Sequence, residues 1–334
     1  MLFYNTFSLF AGVSSTLNVL IWIGIAIVAL GILMIPVSYF VASYCVYTAT
    51  LKRKSPEHWN YDPEKLKENY LSMDAEGMKW QREHADAKTD VHIVNGGLDL
   101  YGEYYNLGSK RCMIFLPGRT ESLRYGYYFS KPYSDMGWNV LLIDPRAHGR
   151  SGGEFNTAGF EESGDILAWA RFIHDELGVE SIVFHGICIG AAGAVLALTS
   201  EDCPDYIDGM VGEGMFPNFG DILINHLIER KKPVHGIYAL VNMWMKHYTG
   251  HSIKYGPIDV VDKLKKPILM LHSKEDIYSL PARAQEIYDK APDGQKKIVW
   301  FDHGSHSMLR LTDTEKYDSA VKDFLRNTIM TEVK

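Results

Sequence analysis

An α/β architecture is what this sequence predicts: a doubly wound, mainly parallel sheet with a helical lid insertion, preceded by one N-terminal transmembrane helix. Three observations carry that expectation. The first 51 residues hold no Asp, Glu, Lys, Arg or His, short apolar runs alternate with amphipathic stretches after residue 88, and a glycine-flanked strand-to-helix turn, "VFHGICIGAAGA", lies within that alternation. The 334 residues are 46% hydrophobic and 22% charged, a balance that permits a sizeable core and argues against disorder.

Within the uncharged segment, Leu20–Ala49 is almost wholly apolar and exceeds the ~20 residues that cross a bilayer as a helix. Residues 1–51 therefore read as a membrane anchor, with the span at about 20–47 and Pro36 as a candidate kink. A cleavable signal peptide fits less well, because no basic n-region precedes the run and the run is too long for an h-region. A buried core helix is the bland alternative, yet few soluble helices are apolar on every face over such a length. Lys52, Arg53 and Lys54 close the run with no basic counterpart before it, which by the positive-inside rule places the C-terminal side in the cytoplasm. Setting these three aside leaves 31 basic against 41 acidic residues, a net −10 that speaks against a nucleic-acid partner. Cys45, Cys112, Cys188 and Cys203 show no CxxC spacing and read as thiols of a reducing compartment. Neither His nor Cys falls at zinc-binding spacing, so no metal and no cofactor is expected.

Residues 52–88 are charged and mostly helix-compatible, broken by Pro63 and Gly77, and read as a juxtamembrane connector to a domain over 89–334. That domain opens with "VHIVNGGLDLYGEYY", a hairpin with Asn95-Gly96 as its turn signal. "CMIFLP" and "WNVLLID" are compact enough for buried strands. "GFEESGDILAWARFIHDEL" is helical by apolar spacing, "SIVFHG" is a strand, and "AAGAVLALTS" is a helix. "IDGMVGEG", "KPILMLHS" and "KKIVWFDHG" supply the last strands, and "YDSAVKDFLRNTI" closes the chain as an amphipathic helix. One insertion, about 215–265, breaks the alternation with two helix-like stretches rich in large apolar residues. After a strand of such a sheet it lies over the carboxyl edge, where ligands bind, and is a candidate lid. Its Phe216, Phe219, Tyr238 and Trp244 are candidates to line an acyl pocket, or simply to cover the sheet edge.

Gly186-Ile187-Cys188-Ile189-Gly190 has the spacing of a nucleophile elbow, in which a tight turn thrusts the central side chain above the sheet and flanking glycines relieve crowding. The helix beginning there presents backbone N–H groups and its positive dipole end to a thiolate or a developing oxyanion. Alone, the pattern is also that of a packing cysteine in an ordinary glycine-rich turn.

With its companions, the stretch from Val91 to Asn327 resembles the α/β-hydrolase family, including membrane-anchored bacterial members with a single N-terminal helix. "DPRAHGRSGG", Asp144 to Gly153, looks like the family's D-x-R-G-H-G-x-S loop after the fourth strand, with Ala147 in place of the usual glycine. The family order of nucleophile, acid and histidine implies Asp276 as the acid, with Glu275 as its competitor. For the histidine the resemblance implies His306, preceded by Gly304, with His303 as the alternative. The oxyanion hole implied is the N–H of Ile189 plus that of Arg119, whose "PGRT" loop carries Pro117-Gly118 where the family has His-Gly. The Arg119 guanidinium is weighed as an anchor for an anionic substrate, against an ordinary solvent-facing or ion-paired arginine. His148 reads as structural, and His185 as a hydrogen-bonded neighbour of the elbow.

The resemblance implies an acyl hydrolase acting on an ester, lipid ester or thioester through Cys188, His306, Asp276 and a covalent acyl-enzyme. A thiol ionises more readily than an alcohol, and thiolates attack such esters readily. Cysteine stands at this position in dienelactone hydrolases and polyhydroxyalkanoate synthases of the same family. Two other readings stay open: an acyltransferase using the cysteine thioester, and a catalytically weak fold used for binding or regulation. The expected partners are a small-molecule or lipid-like acyl substrate and the membrane.

Overall fold

The computed structural model describes residues 3–55, 58 and 68–330, and of residues 3–16 and 69 the backbone alone. Helix α1 (Phe3–Leu51) passes through Pro36 without ending. Its Leu17–Leu51 portion is long and apolar enough to cross a membrane, and none of its most apolar window is buried. Of the connector expected over 52–88, residues 56, 57 and 59–67 lie outside the described residues. Within the rest of it lies α2 (Glu68–Glu83), which is no free spacer: Met73 and Trp80 turn one face of it into the core. Charge dominates this stretch in sequence, so its narrow apolar face is easily overlooked.

Eight strands form one sheet: β1 (Lys88–Asn95), β2 (Leu98–Tyr105), β3 (Arg111–Leu116), β4 (Asn139–Ile143), β5 (Ser181–Ile187), β6 (Ile207–Glu213), β7 (Ile268–Ser273) and β8 (Lys296–Phe301). Their order is β1-β2-β4-β3-β5-β6-β7-β8. The hairpin β1/β2 is antiparallel and joins β4 antiparallel, while all later pairings are parallel. Its turn is made by Gly96 and Gly97, both at positive φ (55° and 77°), one residue later than the Asn-Gly signal suggests. Two successive positive φ values match the twist of a two-residue hairpin. The central strands β4 and β5 are buried throughout. They read as continuous apolar runs because helices cover both faces.

One face carries α5 (Phe160–Asp175) and α6 (Ile189–Leu198), whose Trp169, Ile173, Ala194 and Val195 pack on Ile114, Ile182 and Phe184. The other carries α2 together with α3 (Leu123–Phe129), α4 (Lys131–Ser134) and the C-terminal helix, which runs from Thr314 to Phe324 and ends in a π turn over Leu325–Ile329.

The insertion over 215–265 folds into α7 (Phe219–Glu229) and α8 (His235–Thr249) above the carboxyl edge. Asn218 caps α7 by accepting the Asp221 N–H at 3.1 Å. These helices bury their apolar faces on the elbow helix and on the end of α1: Tyr47, Leu51, Ile189, Phe216, Phe219, Leu223, Val241 and Met245 share one cluster. Trp244 is engaged with α1, not with a pocket. It lies against Phe40 and Tyr44 and donates its indole N–H to Ser43 at 3.0 Å. The chain leaving α1 then pairs with the domain, as Arg53 N–H donates to Glu154 O and the Arg53 guanidinium to the carbonyls of Gly149 and Ser151. Fully burying side chains the size of Tyr47 and Leu51 is worth roughly 1.5–3 kcal/mol each, so the last turns of α1 belong to the packing of the sheet domain.

Candidate active site

The parallel strands all end at one edge, and each contributes a loop to it. β5 runs directly into α6 through Cys188, which is held at φ 53°, ψ −110°. A non-glycine residue at positive φ costs on the order of 1–3 kcal/mol and persists only where its surroundings enforce it. Close packing supplies that enforcement. A Cβ on Gly186 would lie 2.6 Å from Ala191 Cα, and one on Gly190 would lie 2.1 Å from the Leu116 carbonyl oxygen. The turn is further pinned by the Cys188 N–H, which donates to Glu213 O at 2.9 Å. The Cys188 side chain is half-buried between the lid cluster and the core beneath.

The loop after β7 places Asp276 beneath the site. Its Oδ1 accepts the N–H groups of Tyr278 and Ser279 at 2.9 and 2.8 Å, which leaves Oδ2 to accept from His306 Nδ1 at 2.7 Å. A carboxylate is acceptor-only, so this contact assigns the proton to Nδ1 and leaves Nε2 as the ring's basic atom. Burial raises the Asp276 pKa, but the His306 hydrogen bond and charge outweigh it and hold the carboxyl below the usual aspartate range. Burial likewise disfavours an imidazolium at His306; the charge of the Cys188 sulfur and the bond to Asp276 reverse the balance and hold it well above the ordinary imidazole range. The two competitors pair with one another instead: His303 Nδ1 donates to Glu275 Oε1 at 3.0 Å, out in solvent. The structure thus brings Cys188, His306 and Asp276 together and leaves Glu275 and His303 outside.

The Ile189 N–H is the first of α6 and, like any first-turn amide, has no acceptor within its own helix. Across from it runs the loop after β3. A Cβ on Gly118 would lie 3.9 Å from Cys188 Cβ, so the backbone preceding Arg119 passes directly beside the nucleophile position. His148, in the loop after β4, ties that segment down: its Nε2 faces Arg119 O at 2.6 Å and its Nδ1 faces Arg146 O at 2.9 Å. The same loop explains its own sequence. Asp144 accepts the Leu123 and Arg150 N–H groups, both at 2.8 Å, and a Cβ on Gly149 would strike its carboxylate at 2.1 Å. Ala147 stands at φ 60°, the left-handed conformation that suits the glycine it replaces in the family pattern.

Several residues at the site carry no sequence signal of the expected kind. Glu213, at the end of β6, is fully buried and accepts from the Leu309 N–H at 3.0 Å and the Tyr317 hydroxyl at 2.9 Å. Burial pushes its pKa up to about 7. Tyr317 in turn meets His185 Nε2 at 3.0 Å, and Tyr133 meets His185 Nδ1 at 2.9 Å, so His185 is a buried member of a polar chain, its pKa pushed down to about 3 by burial. Gly214, at φ 62°, forms a floor for the His306 ring: a Cβ there would lie 2.9 Å from His306 Cε1. The "GEG" ending of β6 was the available signal, since a glycine straight after a buried strand marks a close approach. On the lid side, Tyr278 meets His306 edge-on at 5.8 Å, and His226 of α7 lies over Tyr278 at 4.2 Å.

Comparison with known proteins agrees with this arrangement of strands and loops. Residues 112–225 match the family described as alpha/beta hydrolase fold. The chain is 30% identical over 209 residues to the uncharacterized protein YqkD of Bacillus subtilis strain 168, covering 62% of this chain and 67% of the relative. Among solved structures, the Pyrococcus furiosus esterase Pf2001 superposes with a TM-score of 0.62 at 22% identity, covering 75% of this chain and 94% of that one. The hydrolase GrgF of Penicillium sp. sh18 gives 0.58 at 16% identity, covering 73% and 99%. At such identities the structural likeness speaks for the fold.

Proposed function

From the premise that the chain belongs to the α/β-hydrolase superfamily, we propose that it is an ester hydrolase whose nucleophile is Cys188, whose base is His306 and whose orienting acid is Asp276. The observation that carries this reading is the 2.7 Å bond between the buried Asp276 carboxylate and His306, beside a cysteine held at positive φ.

The Cys188 thiol gives its proton to His306 Nε2, and the thiolate attacks the ester carbonyl to form a C–S bond. The tetrahedral oxygen takes hydrogen bonds from the N–H groups of Ile189 and Arg119, each donor of this kind being worth roughly 10²–10³ in rate. As the C–O bond breaks, the imidazolium protonates the departing alkoxide, which leaves a thioester on Cys188. Water, losing its proton to Nε2, then attacks the thioester, and the acid leaves as the thiol re-forms. Asp276 stays ionised throughout and holds the ring in the tautomer that both halves require.

The helix over Leu17–Leu51 serves as a single-pass anchor, its C-terminal side facing the cytoplasm by the Lys52–Lys54 cluster. Docking of its last turns on the lid favours acyl or lipid-like esters that reach the site from the membrane surface. A panel of p-nitrophenyl esters of graded chain length tests the reading. The full-length protein hydrolyses them, Cys188→Ala does not, and Cys188→Ser retains a small residue of activity. Equal rates for parent and Cys188→Ala would overturn the assignment.

A further inference from the structure

Arg119 does more than lend a backbone N–H. Among the described residues its guanidinium has one hydrogen-bond acceptor, the Thr50 carbonyl at the end of α1 (3.3 Å), and no carboxylate at ion-pair distance. The side chain is half-buried, and burial, which penalises its charge, pulls its pKa down from the ordinary arginine range. The Cys188 sulfur and Arg230 come next among the charges it feels, ahead of Glu121 on its own loop. Lys54 stands close enough for Arg119 to depress its pKa further than burial alone. The fourth member is His226, whose Nδ1 is buried and has no hydrogen-bond partner among the described residues. Burial, then Arg119, Arg230 and His306, push its pKa down to about 4.

Three cations from three separate elements thus gather around the Arg119 guanidinium, itself on the loop that passes beside Cys188: Lys54 on the chain leaving α1, Arg119 on the loop after β3 and Arg230 at the end of α7. Of the acids nearby, Glu121 acts on Arg119 more weakly than Arg230 does and accepts from the Thr120 hydroxyl at 3.4 Å, Glu229 sits 3.8 Å from Arg230 with both side chains in solvent, and Asp276 is committed to His306. A guanidinium withdrawn from water without an anion is costly, and an incoming anion removes that cost while gaining charge-assisted, two-pronged hydrogen bonds. The unfilled His226 nitrogen offers the same anion one more contact.

We infer that the ester this enzyme takes carries a negative group, a phosphate or a carboxylate, close to the scissile carbonyl, with Arg119 as its principal ligand and Lys54, Arg230 and His226 around it. The inference rests on the ester-hydrolase reading and narrows its substrate class to anionic esters. It also assigns a purpose to the contact between the anchor and the loop after β3, because the Thr50 carbonyl holds the guanidinium toward the site.

Two matched pairs of esters, assayed with the full-length protein in detergent micelles, test it: p-nitrophenyl valerate against mono-p-nitrophenyl glutarate, and monooleoylglycerol against its phosphate monoester. The expected result is a kcat/KM ratio of anionic to neutral ester of tenfold or more in at least one pair, which falls about tenfold in Arg119→Gln and returns in part in Arg119→Lys. Preference in the glycerol pair alone identifies a lipid headgroup; preference in the glutarate pair identifies a soluble anion. Raising ionic strength lowers the ratio, since screening acts on the charged ester only. A ratio near one in both pairs, or one unchanged by Arg119→Gln, overturns the inference while leaving the hydrolase intact. If no ester turns over, the hydrolase reading fails, and calorimetric binding decides the anion site alone. Dodecyl phosphate then binds at least tenfold tighter than dodecanol and loses that advantage in Arg119→Gln, whereas equal binding overturns the site.

Discussion

Two carboxylate–imidazole pairs stand side by side at the carboxyl edge of the sheet, built from adjacent acids and from histidines three residues apart. Glu275 and His303 meet at 3.0 Å with side chains 57% and 79% exposed; Asp276 and His306 meet at 2.7 Å with 2% and 14% exposed. The chemistry of the groups is the same, so their difference isolates environment. In water such a pair is worth about 0–1 kcal/mol and leaves both side chains free to part. Beneath the lid, Asp276 is also fixed by two backbone N–H groups, Gly214 sets the height of the ring, and a sulfur stands on the far side of it. Burial and a third partner turn what would be a surface ion pair into one held in a fixed orientation.

The largest effect that breaks the symmetry comes from the histidines themselves. His306→Ala should lower kcat/KM for any ester by about 10³-fold or more, within the range that positioned bases and nucleophile activation supply, while His303→Ala should stay within about twofold. Next come the acids. Asp276→Asn should cost about 10²–10³-fold through loss of the correct tautomer, and Glu275→Gln should change little. The pH profile adds a sign. The folded His306 pKa lies above the ordinary 6.5, so the stabilisation from its charged form is complete below that value and is lost only as pH rises through the raised one. The alkaline limb of kcat/KM in the parent should accordingly lie well above pH 6.5, and Asp276→Asn should move it down. A limb that Asp276→Asn leaves in place would contradict the coupling.

Gly214→Ala sharpens the geometric half of the comparison. The added methyl meets His306 Cε1 at 2.9 Å and sits at an unfavourable positive φ. A displacement of the ring by a few tenths of an ångström should cost about tenfold in kcat with KM nearly unchanged. The smallest expected effect concerns Glu213. Its folded pKa of about 7 lies above the ordinary 4.5, so its protonated form stabilises the fold below pH 4.5, and that contribution drains away as pH rises toward 7. Glu213→Gln should remove this drain, and the difference in unfolding free energy between parent and variant should change by up to about 3 kcal/mol between pH 4.5 and 7. A difference independent of pH would contradict a neutral, buried carboxyl.

Much of this was legible in the sequence where a rule of spacing applies. The parallel strands show as compact apolar runs because both faces are covered, and the elbow shows because only glycine tolerates the approach of Ala191 and Leu116. Asp276 and His306 were assigned from the chain order of the family the sequence resembles, with Leu280-Pro281 a few residues after the acid and Gly304 before the histidine, and the structure places the two in contact. Residues that act by approach across the fold were legible only in part: the glycine ending β6 and the structural reading of His148 left their partners open, and Glu213 behind the ring and Thr50 on the guanidinium gave no signal, because each joins segments far apart in sequence. The short helices α3 and α4, and a further helix over Pro281–Lys290, escaped for another reason. Two are too brief to show a full helical period, and the third buries only Ala284 and Ile287. Trp244, read as a candidate to line a pocket or to cover the sheet edge, packs against α1 instead, because aromatic content alone does not say which neighbour a side chain faces.

The proposed chemistry passes through a thioester on one sulfur atom. Intact-mass measurement of the full-length protein, quenched in acid within the first turnovers of a p-nitrophenyl ester, should show the added mass of one acyl group, localised by peptide mapping to the segment holding Cys188 and absent in Cys188→Ala. Hydrolysis with no acyl adduct at Cys188 in the parent, or the same adduct in Cys188→Ala, would contradict it.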